Sequence, residues 1–286
     1  MIFIFIDGFG KAGSSISDNP VKKNEFPILY NIINMKSKAI DPVMGVPGLP
    51  QSATGQTSLF CGVNAQKLLG RHIEGFPTRL LKDIVKNDNI FKKLENIKKT
   101  ATFANGYWLS DINNLSRRQK RMISVTTVMA MSGTGEIRTM DKMLNEEAVY
   151  QDITQEILVA RGASLPIITP EAAAERLSRI AHAYDFTLFE YFQTDIAAHK
   201  QEPTRIRKVL SDLERFLSRI HALNDFRRRA LVITSDHGNI EDLSTPLHTM
   251  NPVPFYVKGP GSRDLLRKVN DLSDVTPSVV KWFSLK

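Results

Sequence analysis

The stretch Ala230–Tyr256, A-L-V-I-T-S-D-H-G-N-I-E-D-L-S-T-P-L-H-T-M-N-P-V-P-F-Y, constrains the fold of this chain more than any other. A short run of apolar and β-branched residues, stopped by Ser235-Asp236-His237-Gly238, reads as a buried strand whose carboxyl end presents side chains to a site. Adjacent Asp236 and His237, with His248 farther along, are residue types that ligate metals. Alone, the D-H-G tripeptide reads equally well as a polar turn. Its meaning depends on whether the rest of the chain supplies partners.

Two other strand-like runs end in the same way. Ile2–Ile6 meets Asp7-Gly8-Phe9-Gly10, and Phe186–Phe192 is followed by Thr194-Asp195-Ile196-Ala197-Ala198-His199. Helical patterns cover Phe26–Ile33, Thr169–Ala183 with a cap-like Thr and Pro at the first position, Pro203–Leu223 and Asp274–Phe283. In the Pro203–Leu223 pattern, Leu210, Leu213, Phe216, Leu217 and Ile220 share one face. Helix and strand thus alternate in the C-terminal half, which predicts an α/β fold with a mainly parallel sheet sandwiched by helices. Parallel strands place their carboxyl ends on one sheet edge, where ligands of such folds bind. Asp7, Asp195, His199, Asp236, His237 and His248 can converge there and are enough for two metals with open positions. Mixed carboxylate and imidazole ligands suit Zn²⁺ or Mn²⁺. Gln51-Ser52-Ala53-Thr54-Gly55-Gln56-Thr57 precedes an apolar helical run, Ser58–Val63. Ser52 is therefore placed near a helix N-terminus, where it either caps the helix or faces an anion. A serine there beside two metals has the make-up of a phosphoryl-transfer nucleophile.

The 286 residues are enough for one large domain or one domain with an insertion. From about 76 to 164 the pattern changes to a small inserted cap, part helix and part irregular, with strand-like runs only at Thr100–Ala104 and Ile123–Met129. The expected core is then 1–75 and 165–286. A lone Cys61 offers no disulfide framework, and a reducing cytoplasm is the expected compartment. No apolar run is long enough to cross a bilayer, and Met1–Ile6 reads as a strand rather than a signal peptide. The net charge of +8 is concentrated in Arg79–Arg121, with eleven basic against four acidic residues. This stretch is either an anion-attracting patch or, with Lys92, Lys93, Lys98 and Lys99 at helical spacing, a solvated helix face. Nucleic-acid binding is not expected.

The motifs Asp7-Gly8, Ser52-Ala53-Thr54-Gly55-Gln56, Asp195-x-x-x-His199, Asp236-His237-Gly238-Asn239 and His248-Thr249-x-Asn251-Pro252-Val253-Pro254 occur in the order seen in the alkaline phosphatase superfamily. The chain most resembles the branch containing 2,3-bisphosphoglycerate-independent phosphoglycerate mutase and phosphopentomutase, over about residues 1–75 and 165–286. The resemblance implies two divalent metal ions. Asp7, Ser52, Asp236 and His237 would hold one; Asp195, His199 and His248 would hold the other. It also implies that Ser52 is transiently phosphorylated, with Thr54 and Thr57 as fallback nucleophiles. The implied enzyme is a metal-dependent phosphohydrolase or phosphomutase acting on a small phosphate ester. A phosphodiesterase and a non-catalytic metal-binding regulatory protein are the alternatives, although all seven matched ligand positions are retained. The inserted region is shorter than the mutase cap, so its residues cannot be assigned by motif. The sulfatase pattern Cys/Ser-x-Pro-x-Arg is absent at Ser52. Arg117, Arg118, Lys120 and Arg121 are candidates for a substrate phosphate or form a plain surface cluster. Arg71 and His72 are further candidates. Asn105 either lines the site beside Tyr107 and Trp108 or belongs to a buried turn. His182 and His221 lie in helical patterns and read as non-ligands.

Overall fold

The computed structural model describes residues 1–11, 18–134 and 136–285. Six strands, β1 (Ile2–Ile6), β2 (Lys38–Ile40), β3 (Ala101–Phe103), β4 (Phe186–Tyr191), β5 (Leu231–Thr234) and β6 (Val253–Lys258), form one sheet in the order β2-β6-β5-β1-β4-β3. β3, β4, β1 and β5 run parallel, whereas β6 and β2 are antiparallel to their neighbours. The parallel centre agrees with the helix–strand alternation. The antiparallel edge arises because the segment after β5 contains no crossover helix and returns at the same end of the sheet.

Side-chain alternation divides the core in two. Ile2, Ile4 and Ile6 of β1, with Phe189 and Ile233, pack under the Pro170–His182 and Pro203–Leu223 helices. Phe3 and Phe5, with Leu188, Val232 and Phe255, pack under the Ser52–Cys61, Ile90–Asn96, Val125–Gly133 and Val275–Ser284 helices. Burial on both faces explains the uninterrupted apolar runs. Each fully buried Ile or Phe contributes on the order of 1.5–3 kcal/mol.

One expectation is revised. Ile123–Met129 is not a strand: Ser124 accepts the Thr127 N–H, and a helix, Val125–Gly133, follows. Burial of Val125, Val128 and Met129 against the sheet at helical spacing overrides their β-propensity. Residues 76–164 also contribute to the sheet and its packing. Ala101–Phe103 is the sheet's edge strand, paired with β4, and the helices Arg79–Asn87 and Ile90–Asn96 turn Leu81, Val85, Ile90, Phe91 and Leu94 inward. The basic stretch therefore includes the solvent side of two packed helices. Beyond β3 the chain leaves the sheet edge through isolated bridges, Asn105 to Val149 and Gly106 to Arg138. Among the described residues, no helix is long and apolar enough to cross a membrane.

Candidate metal centre

Three parallel strands deliver their last residues to one edge. Asp7 follows β1, and Gly8 takes φ +66°, where a Cβ would also lie 2.7 Å from Asp195 Oδ1. This turn therefore requires glycine. Asp236 and His237 follow β5 and are fully buried. Ser52 is the first residue of the Ser52–Cys61 helix, whose cap, Gln51, makes no side-chain hydrogen bond to it. Ser52 is thus not spent on capping: its Oγ lies 2.9 Å from His237 Nε2. His237 Nε2 is in turn 3.2 Å from Asp7 Oδ1 and 3.6 Å from Asp236 Oδ2. Gln56, one turn into the helix, donates to Asp7 Oδ2 and Asp236 Oδ2 at 3.2 and 3.1 Å. Gly55 lets the helix approach this closely, since a Cβ there would sit 3.0 Å from the Asp236 carbonyl. Thr54 Oγ1 and Thr57 Oγ1 donate to the carbonyls of Gln51 and Ala53, so both alternative hydroxyls are committed to the helix.

A second cluster adjoins the first. Asp195 and His199, one turn apart on the Gln193–Lys200 helix, meet His248: His199 Nε2 is 3.3 Å from Asp195 Oδ2, and His248 Nε2 is 3.5 Å from Asp195 Oδ1. His199 Nδ1 is hydrogen-bonded to the Pro246 carbonyl at 2.7 Å and His248 Nδ1 to the Pro50 carbonyl at 2.8 Å. Carbonyls at Nδ1 leave each Nε2 as the free ring nitrogen. The two Nε2 atoms nevertheless face each other at 3.1 Å beside a carboxylate, an arrangement of converging acceptors that a cation relieves. The first cluster makes the same point, because Asp7 Oδ1 is buried with no hydrogen-bond partner. Asp7, Asp236 and His237 bring ligand atoms within 4.8 Å of one another, as do Asp195, His237 and His248. His237 and His248 stack with ring centroids 3.7 Å apart, so the two clusters share a wall. The donors fit divalent ions on both sides.

Electrostatics follow from this crowding. Burial, then the Asp236, Asp195 and Glu190 carboxyls, push Asp7 well above the usual carboxylate range. With no cation between them, burial pushes Asp195 upward, but the His199, His248 and His237 side chains around it and the Asn239 amide together carry it well below the usual carboxylate range. The Asp195 hydrogen bond raises His199.

Residues with no motif of their own hold the centre in place. Glu241, fully buried, accepts from Gly10 N, Asn239 N, Thr249 Oγ1 and Asn251 Nδ2 at 2.5–3.0 Å. One carboxylate thereby ties the turn after Asp7 to both ends of the 238–251 loop. Thr194 Oγ1 donates to the Asp7 carbonyl at 2.6 Å, and Asn239 Nδ2 donates to Asp195 Oδ1 at 2.8 Å.

The proposed substrate contacts fare differently. Asn105 is buried, with its amide donating to the Glu190 carbonyl and accepting the Glu190 N–H, both at 2.8 Å. It braces β4, although it also borders a cavity of about 870 Å³ whose lining includes Ile196 and Lys200 of the Gln193–Lys200 helix. Arg117, Arg118, Lys120 and Arg121 are exposed on a short helix, and Gln119 is the residue of that helix that lines the cavity. Arg71 is exposed; His72 Nε2 is bound to the Val46 carbonyl at 3.0 Å. The cations lining the cavity are instead Arg161, Lys200 and Arg205. They are scattered singly in sequence, and only the helix faces reveal them. His182 and His221 bond to their own helices, as expected of non-ligands.

Glu190, at the cavity floor, accepts from Thr126 Oγ1 at 2.6 Å, and burial is the main reason its carboxyl is raised to about 7. Between the ordinary carboxyl value of 4.5 and about 7 the folded protein keeps a proton that the unfolded chain has lost, so stability falls as pH rises through this window. In the chelated protein, E190Q is therefore expected to match wild type near pH 4.5 and to exceed it by roughly 3 kcal/mol at pH 8. Urea unfolding at the two pH values measures this, and a pH-independent difference would count against it.

A family model for the Metalloenzyme superfamily matches residues 1–286. The chain belongs to the Metalloenzyme superfamily. Among curated relatives of this superfamily member, the 2,3-bisphosphoglycerate-independent phosphoglycerate mutase of Ruegeria pomeroyi is 28% identical over 123 residues, which is 41% of the chain and 24% of the relative. The same enzyme of Halobacterium salinarum is 34% identical over 104 residues, 34% of the chain and 20% of the relative. The superfamily member thus spans about a quarter or less of the length of these relatives. A protein of Pyrococcus horikoshii superposes with a TM-score of 0.58 at 15% identity, covering 99% of this chain and 96% of that one. The alkaline phosphatase of the Antarctic bacterium TAB5 gives 0.54 at 13% identity, covering 98% and 96%. The metalloenzyme fold is alkaline phosphatase-like, as the order of motifs led us to expect.

Proposed function

We propose that this chain is a phosphohydrolase or phosphomutase that uses two divalent ions, Mn²⁺ or Zn²⁺, and acts on a small phosphate ester through a phosphoserine at Ser52. The observation that carries the reading is the position of Ser52 Oγ, on the first residue of a helix with no side-chain cap and 2.9 Å from His237 Nε2. Asp7, Ser52, Asp236 and His237 would hold one ion; Asp195, His199 and His248 would hold the other. When bound, the ions supply positive charge that lowers the Ser52 hydroxyl pKa and offsets charge on the phosphoryl oxygens.

The chain's own groups account for the remainder. Ser52 releases its hydroxyl proton to solvent, Oγ attacks phosphorus, the bond from phosphorus to the substrate oxygen breaks, and the departing alkoxide takes a proton from solvent to leave as the alcohol. The helix N-terminus favours the negative phosphoryl group held on Ser52. Water or a second hydroxyl then takes the phosphoryl group and restores Ser52, giving the hydrolase or the mutase outcome. Pro50 and Pro246, through their carbonyls, keep His248 and His199 in one ring orientation throughout.

Two measurements test this. Mn²⁺ or Zn²⁺ at 100 times its Kd is expected to stabilise the chelated protein by about 2.7 kcal/mol; no rise in the unfolding midpoint with either ion would remove the metal requirement. Acid-quenched turnover followed by peptide mass spectrometry is expected to find phosphate on Ser52. Phosphate on another residue, or turnover with no phosphopeptide, would overturn the nucleophile.

A further inference from the structure

Three connections join the 870 Å³ cavity to the metal centre. Ile73 exchanges backbone contacts with the first turn of the Ser52 helix, through Ala53 N to Ile73 O and Ile73 N to Thr54 Oγ1; Phe76, just beyond it, forms part of the cavity wall. Ile196 and Lys200 line the cavity from the helix that carries Asp195 and His199. Glu190, among the lining residues, stands in register with Phe5 of the strand that delivers Asp7.

The wall is dominated by Phe76, Tyr107, Trp108, Phe192, Ile123 and Ile196. Apart from the Arg161 and Lys200 cations, most polar groups among its lining are already paired. Tyr107 OH meets Thr127 Oγ1 at 2.6 Å, the Asn105 amide is held by the Glu190 main chain, and Gln193 bonds Gln151 and Arg205. A ligand rich in hydroxyls would find few free partners and would leave its own groups unpaired. Cavities of roughly 300–1,000 Å³ suit ligands well above the size of a three-carbon acid, and aromatic walls favour flat rings in offset or edge contact.

We infer that this cavity receives the alcohol portion of the substrate and that this portion carries an aromatic ring, so that the substrate is a phosphate monoester of an aromatic-bearing alcohol rather than of a three-carbon acid. The inference rests on the phosphoserine reading above. A simple arylalkyl group and a nucleoside share the required chemistry, and the test separates them.

The Mn²⁺-loaded protein is assayed on 2-naphthylmethyl phosphate, adenosine 5′-monophosphate and glycerol 3-phosphate, all esters of primary alcohols, so that leaving-group reactivity does not set the order. The expected result is a kcat/KM at least tenfold higher for one or both ring-bearing esters than for glycerol 3-phosphate, about 1.4 kcal/mol, with the preferred ester naming the source. W108A and F192A are expected to bring that ratio down toward one; a general folding defect would lower all substrates together and leave the ratio intact. A wild-type ratio near one, or a ratio that neither variant changes, overturns the inference. A second arm is independent of turnover: calorimetry of 2-naphthylmethanol and adenosine with S52A is expected to show saturable binding of at least one, weakened at least fivefold when Trp108 is also replaced by alanine. If no ester is turned over, the phosphoserine reading fails, and this arm still decides the cavity: binding supports it and absence of binding overturns it.

Discussion

S52A is expected to lose at least about 10,000-fold in kcat while retaining its metal content and unfolding midpoint. The size of the effect follows from the surroundings of Ser52. Thr54 and Thr57, the nearest other hydroxyls on the same helix, donate to helix carbonyls, and neither can turn outward without breaking that bond. No neighbour is therefore free to replace Ser52 Oγ. The ligands Asp7, Asp236 and His237 sit on other elements, so the variant keeps most of the first cluster. Steady-state kinetics paired with metal analysis makes the check. Activity within tenfold of wild type would sink the assignment, and a parallel loss of metal would show that the rate falls through the ligand role of Ser52 rather than through loss of the nucleophile.

E241A is expected to be the most damaging substitution outside the ligands, lowering stability by about 3–5 kcal/mol. Removing the Glu241 carboxylate leaves four donors, Gly10 N, Asn239 N, Thr249 Oγ1 and Asn251 Nδ2, without their acceptor. E241Q keeps one oxygen but turns an N–H₂ group toward two of those donors, so about half the loss should remain. Because these bonds set the loops that present Asp7, His237 and His248, affinity for Mn²⁺ should fall 10- to 100-fold in E241A, the range typical of groups that orient metal ligands. Urea unfolding and metal titration read the two effects separately. A variant that is destabilised but binds Mn²⁺ as wild type would show that Glu241 supports the fold alone.

The candidate centre stood out in the sequence because Asp7 and Asp236-His237 directly follow short apolar strands, while Asp195 and His199 lie on the helix that follows a third. Burial on both faces leaves no polar residue inside β1, β4 or β5 apart from Thr187, Glu190 and Thr234, so the terminal ligands stand out. The same logic misplaced Ile123–Met129, whose β-branched run is wound into a helix by the Ser124 cap and by packing on Phe91 and its neighbours. The antiparallel edge was not foreseen because β6 follows the D-H-G turn within one stretch, with Pro252 just before it and Pro254 at its second position. Glu241 and Glu190 are single carboxylates with no spacing to mark them. Their roles emerge only when segments distant in sequence are brought within 3 Å. The cavity cations were missed for a related reason: Arg117 and Arg118 form a visible cluster, while Lys200 and Arg205 reach the cavity from two different helices.

The position of β1 has a kinetic consequence. It is a central strand, yet its two neighbours begin at residues 186 and 231, so it can be neither paired nor covered until most of the chain is available. Contacts so remote in sequence slow folding. Until then five apolar residues with two open edges are a template for wrong partners. Asp7, delivered by that strand, meets Asp236 only at the end of this search. The two ligand clusters are thus among the last parts of the molecule to exist, and a chain interrupted before β5 would hold neither in usable form.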